Sequence, residues 1–225
     1  MEVKVMQNVL GQNDAVAEES RLKLAAAGVY CLNLLGSPGA GKTTLLEQTL
    51  QVLAQEMKVA VIEGDLFTTK DAERIERFGV PVIQINTAGG CHLDAPMVAK
   101  VINELDLSGL DLLIVENVGN LVCPAEFDVG EDDKAVVLSI TEGDDKPLKY
   151  PLIFKESSVA LLNKVDILPY TNFNLQSAAE DIEMIHPGIT VLPVSAFKQE
   201  GMEPWLEWLR AKVKAKRAKT TGEKE

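Results

Sequence analysis

The sequence predicts a doubly wound α/β fold, a mostly parallel sheet with helices on both faces. Three observations predict it. Short uninterrupted apolar runs, at 29–35, 112–116 and 159–163 among others, suit strands buried on both faces. Stretches of helical length lie between these runs, so the two element types alternate along the chain. A glycine-rich turn follows the first run directly.

In chain order, residues 5–27 read as a helix. Its apolar positions, Val5, Val9, Ala15, Leu22 and the alanines at 25–27, are loosely spaced, and Gly28 ends it. The 29–35 strand runs into the glycine turn. A helix over 43–57 follows, then a strand at 59–63, a helix at 70–78 and a strand at 82–86. A helix at 95–105 precedes the strand at 112–116, and apolar runs at 135–141 and 159–163 give two more strands. A helix at 175–185, a strand at 190–194 and a last helix over 202–219 complete the alternation. The acidic, glycine-containing stretch 128–133 reads as a solvated loop. The expected organisation is an N-terminal helical segment at 1–28, a domain over 29–212 and a basic helix end and tail at 213–225.

The length of 225 residues suits one domain, large enough to bury a core without disulfides or structural metals. A formal charge of −12 argues against nucleic acid and anionic membrane as partners. The C-terminus runs the other way, with Arg210, Lys212, Lys214, Lys216, Arg217, Lys219 and Lys224. These suit the carbonyl end of a helix, or a contact for an acidic partner. Three cysteines are no disulfide framework, and no apolar run reaches the length of a membrane span, so the expected location is cytoplasmic.

In such a sheet, ligands bind beyond the carboxyl ends of the strands. After the first strand comes Gly36-Ser37-Pro38-Gly39-Ala40-Gly41-Lys42-Thr43, then Thr44. This phosphate-loop pattern between a strand and a helix turns backbone N–H groups toward phosphate oxygens. Lys42 is expected to reach the β- and γ-phosphates, and Thr43 to offer its hydroxyl to Mg²⁺. After the strand at 159–163 comes Asn163-Lys164-Val165-Asp166. Guanine presents two donors that one carboxylate, Asp166, can accept together, and Lys164 can lay its stem over the purine plane. Ser195-Ala196, after the last strand, is placed to back the base. The pair of motifs points to GTP and GDP and to a P-loop NTPase of the G-domain type.

A carboxylate at a strand end beside Mg²⁺ is also needed. Glu116 fills that place, followed by Gly119, and Asp65 is a second candidate or a turn residue. Lys42, Thr43, Asp65 and Glu116 are therefore the expected catalytic set. No glutamine is placed to orient the attacking water, so slow intrinsic hydrolysis is expected.

Cys31 lies inside a strand and reads as a core residue. Cys91 and His92, after Gly89-Gly90, and Cys123, before Pro124, lie in loops on the nucleotide side. Cys91 also precedes a helix, where a thiolate is favoured. Two thiolates and an imidazole suit Zn²⁺ or Ni²⁺ with one position open; unrelated loop residues are the alternative. His186, before Pro187, reads as a helix-end residue. Ile167, Leu168 and Tyr170 are candidates for a subunit contact, or for core packing.

Beyond these motifs, Gly89-Gly90-Cys91-His92-Leu93, the run from Glu116 through Asn117-Val118-Gly119-Asn120-Leu121-Val122-Cys123-Pro124, and the 141–151 stretch are similar to one family. Nearly the whole chain resembles the hydrogenase nickel-incorporation GTPases, the HypB family of the SIMIBI class. The resemblance implies a maturation factor that assists nickel insertion into the large subunit of [NiFe]-hydrogenase, with GTP hydrolysis as a switch. It implies that Cys91, His92 and Cys123 hold zinc or nickel, that the protein forms a homodimer with GTP, and that a HypA-like nickel/zinc accessory protein is a partner. Two features of some relatives are missing: a histidine-rich stretch, since the chain has two histidines, and an N-terminal cysteine motif, since no cysteine precedes Cys31. Two other readings stand beside it. One is an accessory GTPase for urease or a B12-dependent mutase; the other is a non-catalytic dimer module held by nucleotide and zinc.

Overall fold

A computed structural model describes residues 9–66 and 69–222 of the chain. Val5, at the start of the expected first helix, and Lys224, in the expected tail, lie outside the described residues. Seven strands form one sheet: β1 (Tyr30–Gly36), β2 (Val59–Asp65), β3 (Val82–Asn86), β4 (Leu112–Glu116), β5 (Asp133–Ser139), β6 (Val159–Asn163) and β7 (Thr190–Val194). Their order is β3-β2-β4-β1-β5-β6-β7, and every pairing is parallel. The helices are α1 (Val9–Ala27), α2 (Lys42–Leu53), α3 (Lys70–Glu76), α4 (Ala95–Glu104), α5 (Cys123–Glu126), α6 (Lys146–Lys149), α7 (Pro151–Lys155), α8 (Leu175–Ile185) and α9 (Met202–Thr221). The predicted doubly wound sheet is the observed one.

Alternation along the strands sorts the core into two faces. Leu32 and Leu34 of β1, with Val59, Val61, Leu112, Ile114, Ala135, Val137, Val159 and Leu161, pack against α2, α3 and α9. The opposite face carries two apolar clusters. Cys31, Ala60, Ile62, Leu113 and Val115 meet α1 and α4. Leu35, Val136, Leu138, Ala160 and Leu162 meet α5, α7 and α8. Between them, under β1, runs a polar seam. Asn33 Nδ2 donates to Glu131 Oε1 at 3.2 Å, and Asn117 Nδ2 donates to Asn33 Oδ1 at 3.2 Å.

The seam corrects the solvated-loop reading of 128–133. Val129, Gly130 and Glu131 are buried. Glu131 Oε2 accepts from Val129 N at 2.7 Å, and Asp128 pairs with Arg21 of α1. The acidic residues there are ligands for the chain's own donors, not a solvated run. The same seam explains the weak periodicity of the first helix. Its buried stripe is Asn13, Ala17, Ser20 and Leu24, half polar. Asn13 Nδ2 donates to Asp128 O at 2.8 Å, and its Oδ1 accepts from Ala95 N at 2.8 Å.

The basic C-terminal residues are largely engaged within the chain. Lys212 pairs with Asp133 at 2.9 Å, Lys216 with Asp132 at 2.5 Å, and Arg217 with Asp111. Val213 is part of the core, and α9 runs unbroken through 212 and 213. β7 is an edge strand; Pro193 faces Leu162 of β6 there, and the Ser195–Glu200 bridge folds the chain back just beyond it. No helix among the described residues is long and apolar enough to cross a membrane.

Candidate functional site

β1 lies at the middle of the sheet, flanked by β4 and β5, and its carboxyl end opens into the phosphate loop. The loop bends through glycines that other residues would strain: φ is 149° at Gly36, 75° at Gly39 and 97° at Gly41. A Cβ on Gly36 would come 2.4 Å from Val137 O, and one on Gly41 2.5 Å from Asn163 Nδ2. Lys42 is buried, and its Nζ donates to Gly36 O at 3.2 Å and Ser37 O at 3.3 Å. The ammonium thus folds over its own loop, where it faces a cleft of about 500 Å³ lined by Lys42, Thr43, Asp65, Glu116 and Gly119. The Ser37 hydroxyl donates to Glu142, a residue the motif reading did not include.

The strand ends supply the acidic edge of this cleft. Thr43 Oγ1 donates to Glu116 Oε1 at 2.8 Å, which leaves the hydroxyl lone pairs for a cation. Glu63 stands beside Glu116 in the β2–β4 register, and both side chains are buried. Burial pushes the Glu63 carboxyl well above the ordinary range, and the neighbouring Glu116 carboxylate adds to the rise. Burial likewise raises Glu116, against the pull of Lys42. Oε2 of each carboxylate has no hydrogen-bond partner. Buried unpaired carboxylate oxygens beside a threonine hydroxyl are a hard-oxygen set that suits Mg²⁺. Asp65, ending β2, lines the same cleft and its carbonyl accepts from Thr87 N at 3.0 Å. Glu63, which belongs with Gly64 and Asp65 to a motif shared with the resembled family, was given no role of its own; the signal was a carboxylate closing the apolar run 59–63. Arg74 of α3 was also missed. It lines the cleft, pairs with Glu47 at 2.6 Å and Asp71 at 3.0 Å, and donates to Thr44 Oγ1 at 3.3 Å.

Gly41, Thr44 and Lys164 border both this cleft and a smaller one of about 300 Å³. Asn163 builds the floor between them. Its Nδ2 donates to Ala40 O at 2.9 Å, and its Oδ1 accepts from Ala196 N at 3.1 Å and Lys164 N at 2.8 Å. Lys164 sits at φ 70°, and its Nζ donates to Gly39 O at 2.6 Å. Asp166 Oδ1 accepts from Ser195 Oγ at 2.6 Å. The phosphate loop, 163–166 and 195–196 therefore meet through named bonds, although more than 120 positions separate Asn163 from Ala40.

Cys91, His92 and Cys123 also meet. One ligand atom from each lies within 4.8 Å of the others. Cys91 Sγ is 3.5 Å from His92 Nδ1, and the His92 ring stacks on Phe127 with centroids 3.9 Å apart. The thiolate expected of Cys91 ahead of a helix needs correction. The neighbouring Cys123 thiol, more than burial, holds the Cys91 thiol above its ordinary range. A soft cation bound here would displace the thiol protons. Cys31 is a buried core residue, and His186 caps the end of α8 with Nδ1 3.2 Å from Phe154 O. Ile167 and Leu168 are partly buried against the α7–α8 cluster, whereas Tyr170 is 88% exposed.

A phosphate loop at the centre of a parallel sheet, hydrogen-bonded to the 163–166 segment, defines a P-loop nucleotide-binding protein. The family model described as CobW/HypB/UreG, nucleotide-binding domain, matches residues 30–193. The chain belongs to that family, and within it to the HypB hydrogenase maturation factors. It is 50% identical over 209 residues to hydrogenase maturation factor HypB of Escherichia coli strain K12, covering 93% of this chain and 71% of that protein. It is 48% identical over 226 residues to the HypB of Azotobacter chroococcum mcd 1, covering 96% of this chain and 73% of the relative. The crystal structure of HypB from Helicobacter pylori in complex with nickel superposes with a TM-score of 0.86 at 36% identity, covering 91% of this chain and 96% of the other.

Proposed function

We propose that this chain is a GTP-hydrolysing metallochaperone that assists nickel insertion into the large subunit of a [NiFe]-hydrogenase. One observation carries the reading. Glu116, at the acidic edge of the phosphate cleft, and Cys123, in the Cys-His-Cys group, belong to one short segment leaving β4. Nickel-bound HypB of Helicobacter pylori supports nickel as the cargo.

In this reading Lys42 and the loop N–H groups hold the β- and γ-phosphates, and Asp166 takes the two donors of guanine, steadied by Ser195. Thr43, Glu116 and Asp65 hold Mg²⁺, which supplies charge neutralisation at the phosphates. Among the described residues lining the phosphate cleft there is no glutamine, which supports slow intrinsic turnover. Cys91, His92 and Cys123 give a metal three ligands and leave a position for water, for a second copy of the chain, or for a donor on a partner. Zinc is the competing occupant. A homodimer formed with GTP, a HypA-like nickel/zinc protein and the hydrogenase large subunit are the proposed partners.

The test combines phosphate release with a nickel titration, read by the thiolate-to-metal absorption band with GDP and with a non-hydrolysable GTP analogue. The expected result is slow GTP turnover and a nickel affinity that differs about tenfold between the two states, with the band lost in Cys91→Ala or Cys123→Ala. Equal affinity in both states sinks the switch, because a ligand that does not discriminate shifts no equilibrium.

A further inference from the structure

Asn120 lies between the phosphate loop and the cysteine group and bonds to both sides. We propose that Asn120 is the positioning residue that ties the two sites together, setting the Cys91 and Cys123 loops according to what the phosphate loop holds. The inference rests on the nickel-switch reading above.

Three polar groups of Asn120 serve this task. Its backbone N–H donates to Gly36 O at 3.0 Å, an isolated antiparallel bridge to the first glycine of the phosphate loop. Its Nδ2 donates to the carbonyl of Cys91 at 3.3 Å. Its Oδ1 accepts from the N–H of Val122, the residue before Cys123, at 2.9 Å. One amide therefore holds both cysteine-bearing loops from opposite atoms, while its own backbone is fixed to the nucleotide side.

The neighbours of Asn120 make the link stiff. Gly119 is pressed against the phosphate loop: a Cβ there would come 2.8 Å from both Cα and N of Pro38. Gly36 is equally confined against Val137. Three residues before Asn120, the buried Asn117 accepts from Leu93 N at 3.0 Å, and from its own neighbour Val118 N at 2.9 Å. Leu93 is in turn wedged over Gly64 of β2, where a Cβ would meet it at 2.8 Å. The 117–120 segment is thus clamped between loop 36–38 and loop 91–93, and Val118 and Gly119 line the phosphate cleft. A shift of this segment cannot leave the separation of the two thiols unchanged. Asn120 is only partly buried, so its side chain can be removed without opening a core cavity.

The experiment uses the full chain as wild type, Asn120→Ala and Asn120→Asp. Nickel is titrated with GDP and with the GTP analogue, and fluorescent guanine nucleotides are titrated in parallel. Asn120→Ala loses both side-chain bonds; Asn120→Asp keeps the acceptor for Val122 N and loses the donor to Cys91 O. In Asn120→Ala the about tenfold affinity ratio of wild type is expected to fall to within about twofold of unity. Its nickel band and its nucleotide affinities are expected to stay within about threefold of wild type. Asn120→Asp is expected to keep part of the ratio. A merely structural role would weaken nickel equally in both states and leave the ratio untouched. An Asn120→Ala or Asn120→Asp chain that folds and keeps the full wild-type ratio overturns the proposal and leaves the switch standing. A wild type with no ratio removes the switch itself, before any substitution is made.

Discussion

The two ends of the nucleotide cleft are finished to different degrees. At the end proposed for the base the floor is braced from within the chain: Asn163 bonds three backbone groups, and one oxygen of Asp166 accepts from Ser195. At the cation end two buried carboxylates face each other, each with an unpartnered oxygen. The end proposed for the base is held by hydrogen bonds made within the chain. At the cation end burial and the neighbouring carboxyl hold a proton on Glu63 well above its ordinary range, so an incoming cation has a proton to displace. Internal bracing belongs where a shape is read, and unpartnered carboxyl oxygens where a cation is to be captured.

Four measurements break or sharpen that contrast. Lys42→Ala should have the largest effect, because it removes the only cation inside the acidic cleft besides Arg74 and Lys164 among its described lining residues. Fluorescent-GDP titration is expected to show affinity reduced about 100- to 1,000-fold. Asp166→Asn should reduce GDP affinity about 100-fold and improve XDP, whose 2-oxo group accepts where guanine donates. A variant that loses GDP and XDP alike would mean that Asp166 only braces the floor.

Glu63→Gln should lower the Mg²⁺ dependence of GTP-analogue binding by about tenfold, read by Mg²⁺ titration. It should also change the melting profile of the nucleotide- and metal-free chain. Glu63 is held above its ordinary value of 4.5 in the folded chain, so above that pH the folded state binds more protons than the unfolded state. Stability from this group is full below about pH 4.5 and declines as pH rises beyond it. The wild-type melting temperature is expected to drop by about 4 °C between pH 5 and pH 8, and Glu63→Gln to flatten the drop. A wild-type profile as flat as that of the variant would show that the pair is not strained. Ser195→Ala should have the smallest effect, about three- to tenfold on GDP affinity with nickel binding unchanged. A loss as large as that of Asp166→Asn would mean that Ser195 touches the base itself.

Much of this was legible in the sequence for a stated reason. Strands buried on both faces are nearly continuous apolar runs, so β4 and β6 are found with the bounds expected; the edge strands β3 and β7, which are only partly buried, also keep their expected bounds. Residues 36–44, 163–166 and 195–196 lie directly after strands, and the parallel order brings such positions together. What was not legible is pairing across the sheet. Glu63 matters because β2 lies beside β4, which no local pattern announces. Likewise Asn33, Asn117 and Glu131 form one seam from three separate segments, so 128–133 looked like a surface loop. The short helices α5, α6 and α7 were missed because each is a single turn started by a proline at its first or second position, too short for periodicity.

The rim of the sheet at β7 has a consequence for how copies of this chain can join. An edge strand normally offers a ladder of N–H and C=O groups to any other strand. Pro193 has no N–H to offer, and the chain folds back over the strand's end between Ser195 and Glu200. This edge is therefore a poorer template for strand addition. A pairing of two copies on this side is favoured through side chains, and side chains near a nucleotide cleft can be made to respond to what fills it.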